Sequence, residues 1–137
     1  MAPRPINVLL VEDNPGDAYI IQDLLKHNAS IQVQIDHVER LESAIQQLDH
    51  TVFEVVILDL LLPDSQGLDT LLTLLNHISH IPIVVLTRLA NEELAIQAVQ
   101  QGAQDYLVKD QISKAILSRS IRYAIERQRI EETLKQR

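Results

Sequence analysis

Val55-Val56-Ile57-Leu58-Asp59-Leu60-Leu61-Leu62-Pro63-Asp64-Ser65-Gln66-Gly67 is the stretch that decides the fold. Its first four residues are apolar and rich in β-branched side chains, the pattern of a strand buried on both faces, which belongs in a parallel sheet covered by helices. Asp59 ends that run. A carboxylate is costly in such surroundings, so its place is the strand's carboxyl edge, where an open α/β sheet leaves a crevice for ligands. Pro63 and Gly67 then turn the chain, and Leu68, Leu71, Leu72 and Leu75 follow as a helical pattern. One Asp after one strand is ordinarily a turn former, so the other strand ends decide its role.

Upstream, Ile6 to Val11 is a first apolar strand that ends directly in Glu12 and Asp13. Asn14 is placed to cap a helix, with Pro15 at the first helical position and Asp17 near the positive end of the dipole. That helix buries Ala18, Ile21, Leu24 and Leu25. Ile31, Val33 and Ile35 alternate with polar residues, which predicts a half-exposed edge strand running on toward Val38. Leu41, Ala44, Ile45 and Leu48 supply the next helix.

Downstream, Ile83 to Leu86 is a fourth apolar strand closed by Thr87. Asn91, Glu92 and Glu93 open a helix whose apolar positions Ala95, Ala98 and Val99 run to the C-terminal Gly102. Asp105 to Val108 is a short fifth strand, followed at once by Lys109, and a last helix starts near Ser113. Five alternations with short connections predict a doubly wound α/β fold, a five-stranded parallel sheet of the flavodoxin-like order 2-1-3-4-5, with the weak second strand at one edge.

The bulk numbers fit one domain: 137 residues, of which 46% are hydrophobic, with mean hydropathy near zero. There is no cysteine, which excludes disulfides and thiolate metal sites. No apolar stretch has membrane-spanning length, and Met1 to Pro5 does not read as a secretion signal, so a cytoplasmic protein is expected. The net charge of -7 is uneven: seven Lys or Arg and three Glu from Lys114 to Arg137 give +4, leaving -11 for residues 1–113. Such an acidic body repels nucleic acid and favours cations or basic partners. His27, His37, His50, His77 and His80 have no ligand spacing and read as surface or loop residues.

A parallel sheet brings the carboxyl ends of its strands to one rim, so Glu12, Asp13, Asp59, Thr87 and Lys109 converge there. Carboxylates gathered in a crevice raise one another's pKa unless a cation intervenes. Mg2+ suits them, since it takes a few hard oxygens and keeps its waters. With an ammonium and a hydroxyl added, the set suits a phosphoryl group, and a carboxylate can be the nucleophile.

Val11-Glu12-Asp13-Asn14, Ile57-Leu58-Asp59-Leu60-Leu61-Leu62-Pro63-Asp64, Val85-Leu86-Thr87-Arg88 and Tyr106-Leu107-Val108-Lys109-Asp110 together resemble the receiver domains of bacterial two-component response regulators, over roughly residues 6–125. The resemblance implies that Asp59 accepts phosphoryl from a sensor histidine kinase or phosphotransfer protein. It implies that Asp13, with Glu12 beside it, and Asp59 hold Mg2+, with the backbone carbonyl of Leu61 completing the protein ligands. Thr87 and Lys109 then bind phosphoryl oxygens, and Tyr106 is the aromatic switch that turns inward when Thr87 is drawn to the phosphate. Two positions depart from the usual pattern or tune it: Arg88 stands where a small residue is more common, and Leu61 is bulky and apolar. Both bear on the lifetime of the phosphorylated form.

On this reading residues 1–5 are a tail, 6–125 the receiver and 126–137 an extension of the last helix, similar to signalling helices that lead to an output domain. Arg122 with Glu126, Arg127 with Glu131, and Glu131 with Lys135 fall at i,i+4 spacing along it. Expected partners are the phosphodonor protein and a second copy of the chain, paired through the fourth helix, fifth strand and fifth helix or through the last helix. Nucleic acid and membrane are not among them. The domain acts only on its own acyl phosphate and is not an enzyme on an external substrate. An aspartyl-phosphate phosphatase of the haloacid dehalogenase type is the alternative, but it wants a second Asp two residues on, where Leu61 stands. A nucleotide or flavin carrier wants a Gly-rich loop after Val11, which is missing.

Overall fold

The structure is a computed structural model that describes residues 4–135. The expected tail 1–5 and extension 126–137 therefore fall partly outside the described residues, at 1–3 and 136–137. Five parallel strands form the main sheet: β1 (Ile6–Val11), β2 (Val33–Val38), β3 (Val55–Leu58), β4 (Ile83–Thr87) and β5 (Asp105–Val108), in the order β2-β1-β3-β4-β5. The helices are α1 (Pro15–Lys26), α2 (Leu41–His50), α3 (Leu68–His77), α4 (Glu92–Gln101) and α5 (Lys114–Lys135).

Side chains alternate across the sheet and fill two cores. Val8, Leu10, Val55, Ile57, Val84 and Leu86 meet Ala18, Ile21 and Leu25 of α1 and Leu117, Ile121 and Ala124 of α5. Leu9, Val11, Val56, Leu58, Ile83 and Val85 meet α2, α3 and α4 on the other face through Leu41, Ala44, Leu71, Leu74 and Ala98. β3 is buried at all four positions, as its apolar run requires, because it has a neighbour on each side and helices above and below.

Local chemistry sets the helix ends. Asn14 accepts from the Asp17 amide at 3.0 Å and Pro15 occupies the first helical position of α1. Asn91 caps α4 in the same way. Gly102 ends α4 at φ 133°, and a side chain there would sit 3.3 Å from Leu75. Gly67 starts α3 at φ 72°, ψ -153°, a conformation open only to glycine.

Several boundaries and faces differ from the periodicity. β2 begins at Val33, not Ile31, which instead packs under α1. The turn after Asp59 contains a small antiparallel pairing of Leu61–Leu62 with Ser65–Gln66. On α4 the inward face is centred on Ala98, leaving Ile96 and Val99 half exposed, because the helix needs only a narrow contact at the sheet's edge. His37 lies in β2, and its Nε2 is 2.7 Å from the Glu12 carbonyl, so it is an edge-strand residue bonded to backbone and not a loose surface one. On α5 the ion pair that forms is Arg129 with Glu126 at 3.3 Å, in place of the i,i+4 pairs.

α2 has no cap of its own. Asp64, in the turn after Asp59, supplies one from a distance, accepting from the Leu41 and Glu42 amides at 2.9 and 3.0 Å. Burial opposes its charge, but the backbone amides, Arg40 adding to them, together outweigh it and hold its carboxyl below the usual value. Asp64→Ala is expected to lower stability by roughly 0.5–1 kcal/mol, an exposed cap's contribution, measured by urea unfolding. Because the folded carboxyl is the stronger acid, the loss should be full at neutral pH and should vanish as pH falls through the folded-state pKa, below about pH 4.

Candidate functional site

Glu12, Asp13, Asp59, Thr87 and Lys109 all reach the carboxyl rim of the sheet, as expected from the strand ends. Asp59 continues β3, its amide bonded to the Val11 carbonyl at 3.0 Å, which fixes it beside the end of β1. Carboxylate oxygens of Glu12, Asp13 and Asp59 lie within 4.8 Å of one another. Asp59 is 4% exposed and Glu12 1%, whereas Asp13 is more open.

Lys109, in the 3-10 turn Lys109–Gln111 after β5, reaches into this group. Its Nζ donates to Asp59 Oδ2 at 2.7 Å and to Asp17 Oδ2 at 2.8 Å. It also stands 2.6 Å from Glu12 Oε1, a charge contact at an angle that makes no directed hydrogen bond. The other oxygens are held by backbone: Asp59 Oδ1 accepts from the Leu61 amide at 3.1 Å and Glu12 Oε2 from the Asn14 amide at 3.1 Å.

These contacts explain the electrostatics. Burial raises the Glu12 pKa to about 7, the Lys109 contact lowers it in part, and the Asp59 charge adds to the rise. Burial alone would make Lys109 a weaker base, but Asp17, Asp59 and Glu12 together hold it above the usual lysine range. Tyr106 is raised by burial and by the charge of Asp59.

Asp17 is the residue that sequence reasoning missed. Taken only as a helix-dipole residue, it is 8% exposed and binds both Lys109 and Arg88, whose Nη2 donates to Asp17 Oδ1 at 2.6 Å. Burial works against its charge, yet the two cations keep its carboxyl below the ordinary value. No local signal marks it, since its partners lie 92 and 71 positions away.

A cleft of about 360 Å³ is lined by Glu12, Asp13, Asp17 and Asp59 together with Arg88 and Lys109. Four carboxylates against two cations leave two negative charges when all are ionised. Hard oxygens with that excess fit a divalent cation such as Mg2+. Thr87 is fully buried at the end of β4, and its Oγ1 has no hydrogen-bond partner among the described residues. Leu61 lines the cleft's open side. Tyr106 is partly buried in β5, and its hydroxyl donates to the Leu89 carbonyl at 2.6 Å, tying the ring to the loop that follows Thr87.

A family profile described as the response regulator receiver domain matches residues 8–121. The chain belongs to this family. Its relatives include the methanogenesis regulatory protein FilR1 of Methanothrix harundinacea, 31% identical over 79% of this chain and 25% of that protein. The response regulator FleR of Pseudomonas aeruginosa is 31% identical over 86% of this chain and 24% of its own length. This receiver thus spans about a quarter of the curated relatives it matches. Among solved structures, the signal receiver domain of a protein described as a LuxO repressor from Vibrio parahaemolyticus superposes with a TM-score of 0.81 at 30% identity, covering 96% of this chain and 98% of that one. A CheY-like receiver from Methanospirillum hungatei shares the fold at a TM-score of 0.78 and 17% identity, over 93% and 99% of the two chains. No helix among the described residues is long and apolar enough to cross a membrane.

Removing the ammonium and removing the hydroxyl should have opposite consequences for the receiver's stability. Lys109→Met leaves buried carboxylates unpaired and is expected to cost about 3 kcal/mol in urea unfolding at neutral pH. Thr87→Val removes a hydroxyl that makes no bond, so stability should stay level or rise by up to about 1 kcal/mol. A loss under about 1 kcal/mol for Lys109→Met would mean that the carboxylates do not depend on it.

Proposed function

We propose that this receiver domain of a two-component response regulator is a phosphorylation-controlled switch whose acceptor is Asp59. The observation that carries the reading is the buried Asp59 carboxylate held by Lys109 at 2.7 Å, within the same cluster as Glu12 and Asp13 and beside an unpartnered Thr87 hydroxyl. A carboxylate oxygen of Asp59 attacks phosphorus of a phosphohistidine on a kinase or phosphotransfer protein. The phosphorus–nitrogen bond breaks, and the donor imidazole keeps the electron pair. Lys109 neutralises a phosphoryl oxygen and Thr87 donates a hydrogen bond to another.

Glu12, directly or through water, Asp13, Asp59 and the Leu61 carbonyl would hold Mg2+. When bound, the ion supplies positive charge against the phosphoryl oxygens and offsets the carboxylate repulsion. Hydrolysis of the acyl phosphate returns the free Asp59, so the domain turns over its own modification and acts on no external substrate.

Drawing Thr87 toward the phosphoryl group moves the loop after β4, and Tyr106 follows because its hydroxyl bonds the Leu89 carbonyl there. The surface so altered is that of α4, β5 and α5, where Ile96 and Val99 are half exposed. Residues 6–125 form the switch. Residues 126–135 continue α5, and the extension 126–137 passes its state onward: Tyr123, Ile130 and Leu134 leave an apolar stripe for a second copy or an attached module. Working with a kinase's phosphohistidine places the domain in the cytoplasm.

Incubation with acetyl phosphate and Mg2+, followed by intact mass, tests the acceptor. The wild type should gain one phosphoryl group and Asp59→Asn none; equal labelling of both would reject Asp59.

A further inference from the structure

Phosphoryl acceptance by the rim residues leaves one buried carboxylate unused. Asp17 bridges two cations: Lys109, on which Asp59 also rests, and Arg88, whose side chain is 55% exposed at the mouth of the cleft. The other acid near Arg88, Asp110, is 3.8 Å away and 78% exposed, so Asp17 is the anchor. An ammonium has three protons, and here three carboxylates surround it. Once Asp59 carries a phosphoryl group its contact with Lys109 passes to phosphoryl oxygens. Asp17 takes no part in that exchange, so it keeps the ammonium seated throughout.

The second oxygen of Asp17 fixes Arg88 across the cleft. Arg88 lines both the acceptor cleft and a smaller cavity of about 110 Å³ on the α1 side, walled by Ile20, Ile21 and Ile112. The guanidinium stands between the two. It therefore narrows the approach from that side and brings a second cation to the space a phosphoryl group would fill.

We propose that Asp17 is a positioning residue and that the Asp17–Arg88 pair is a gate that prolongs the phosphorylated state of Asp59. The proposal rests on Asp59 being the acceptor. In the step it opposes, a water oxygen bonds to phosphorus and the bond from phosphorus to the Asp59 oxygen breaks. That oxygen keeps the electron pair as carboxylate, and the water's proton passes to solvent or to the released phosphate. The gate slows this by occupying the water's approach and by stabilising the phosphoryl charge before attack.

Decay of the acetyl-phosphate-labelled full chain, followed by intact mass in Mg2+, tests it in the wild type, Arg88→Ala, Asp17→Asn and the double variant. Each single variant should shorten the half-life roughly three- to ten-fold, a modest effect suited to a half-exposed ion pair. The double variant should match Asp17→Asn alone, because without that carboxylate Arg88 is already unanchored, and Arg88→Lys should recover most of the wild-type lifetime. Unchanged decay in Arg88→Ala, or a further shortening when Arg88→Ala is added to Asp17→Asn, would overturn the gate while leaving the acceptor in place. Failure of the wild type to label, or labelling of Asp59→Asn, would instead remove the acceptor and the gate with it. Should Asp17→Asn not fold, the two Arg88 variants decide the matter, since that side chain lies largely in solvent.

Discussion

One ammonium holds the rim of this sheet together. Lys109 is drawn from the end of β5 into contact with Glu12 after β1, Asp17 in α1 and Asp59 after β3. Three carboxylates this deeply placed could not share a cleft without it, since like charges at such separations in a low-dielectric pocket repel by several kcal/mol. Four carboxylates still face two cations in the cleft, and burial, with the Asp59 charge adding to it, raises Glu12 to about 7. Such a set of hard oxygens fits a divalent cation, and the parallel sheet is what gathers it.

Most of the fold was legible because the strands are short apolar runs that stop at a charge. Val11 before Glu12, Leu58 before Asp59 and Val108 before Lys109 each mark a strand end and a site residue at once. The caps Asn14 and Asn91 and the terminal Gly102 were equally plain, being governed by neighbours three or four residues away. Long-range polar contacts were not. Asp17 had a sufficient local explanation at a helix start, and nothing in its surroundings predicts Lys109 or Arg88 as partners. Asp64 read as part of a turn, yet it caps α2. Faces of amphipathic helices were read only approximately: on α4 periodicity allowed Val99 inward, but the packing chose Ala98 and left Val99 half exposed.

The same division separates the switch from its surroundings. Thr87 is buried without a partner, whereas Tyr106 is held at its hydroxyl by the backbone two residues after Thr87. On the proposed function, a ligand that satisfies the first would pull on the second. At the opposite edge, the described residues of α5 beyond Ile125 are fastened by polar contacts: Gln128 reaches the Ser79 carbonyl at 3.4 Å, and Glu132 stands 3.2 Å from His80. Such exposed contacts are weak, so the end of α5 can part from the domain at little cost. Rigid apolar packing thus surrounds the sheet, while the carboxyl rim and the far end of the last helix are the places where polar contacts can exchange.

The central claim is that the Lys109 ammonium and a divalent cation draw on the same carboxylate oxygens. Calorimetric titration of Mg2+ into the wild type and into Lys109→Met measures this directly. Competition for shared oxygens predicts tighter Mg2+ binding by the variant. Binding that is unchanged or weaker would contradict the account.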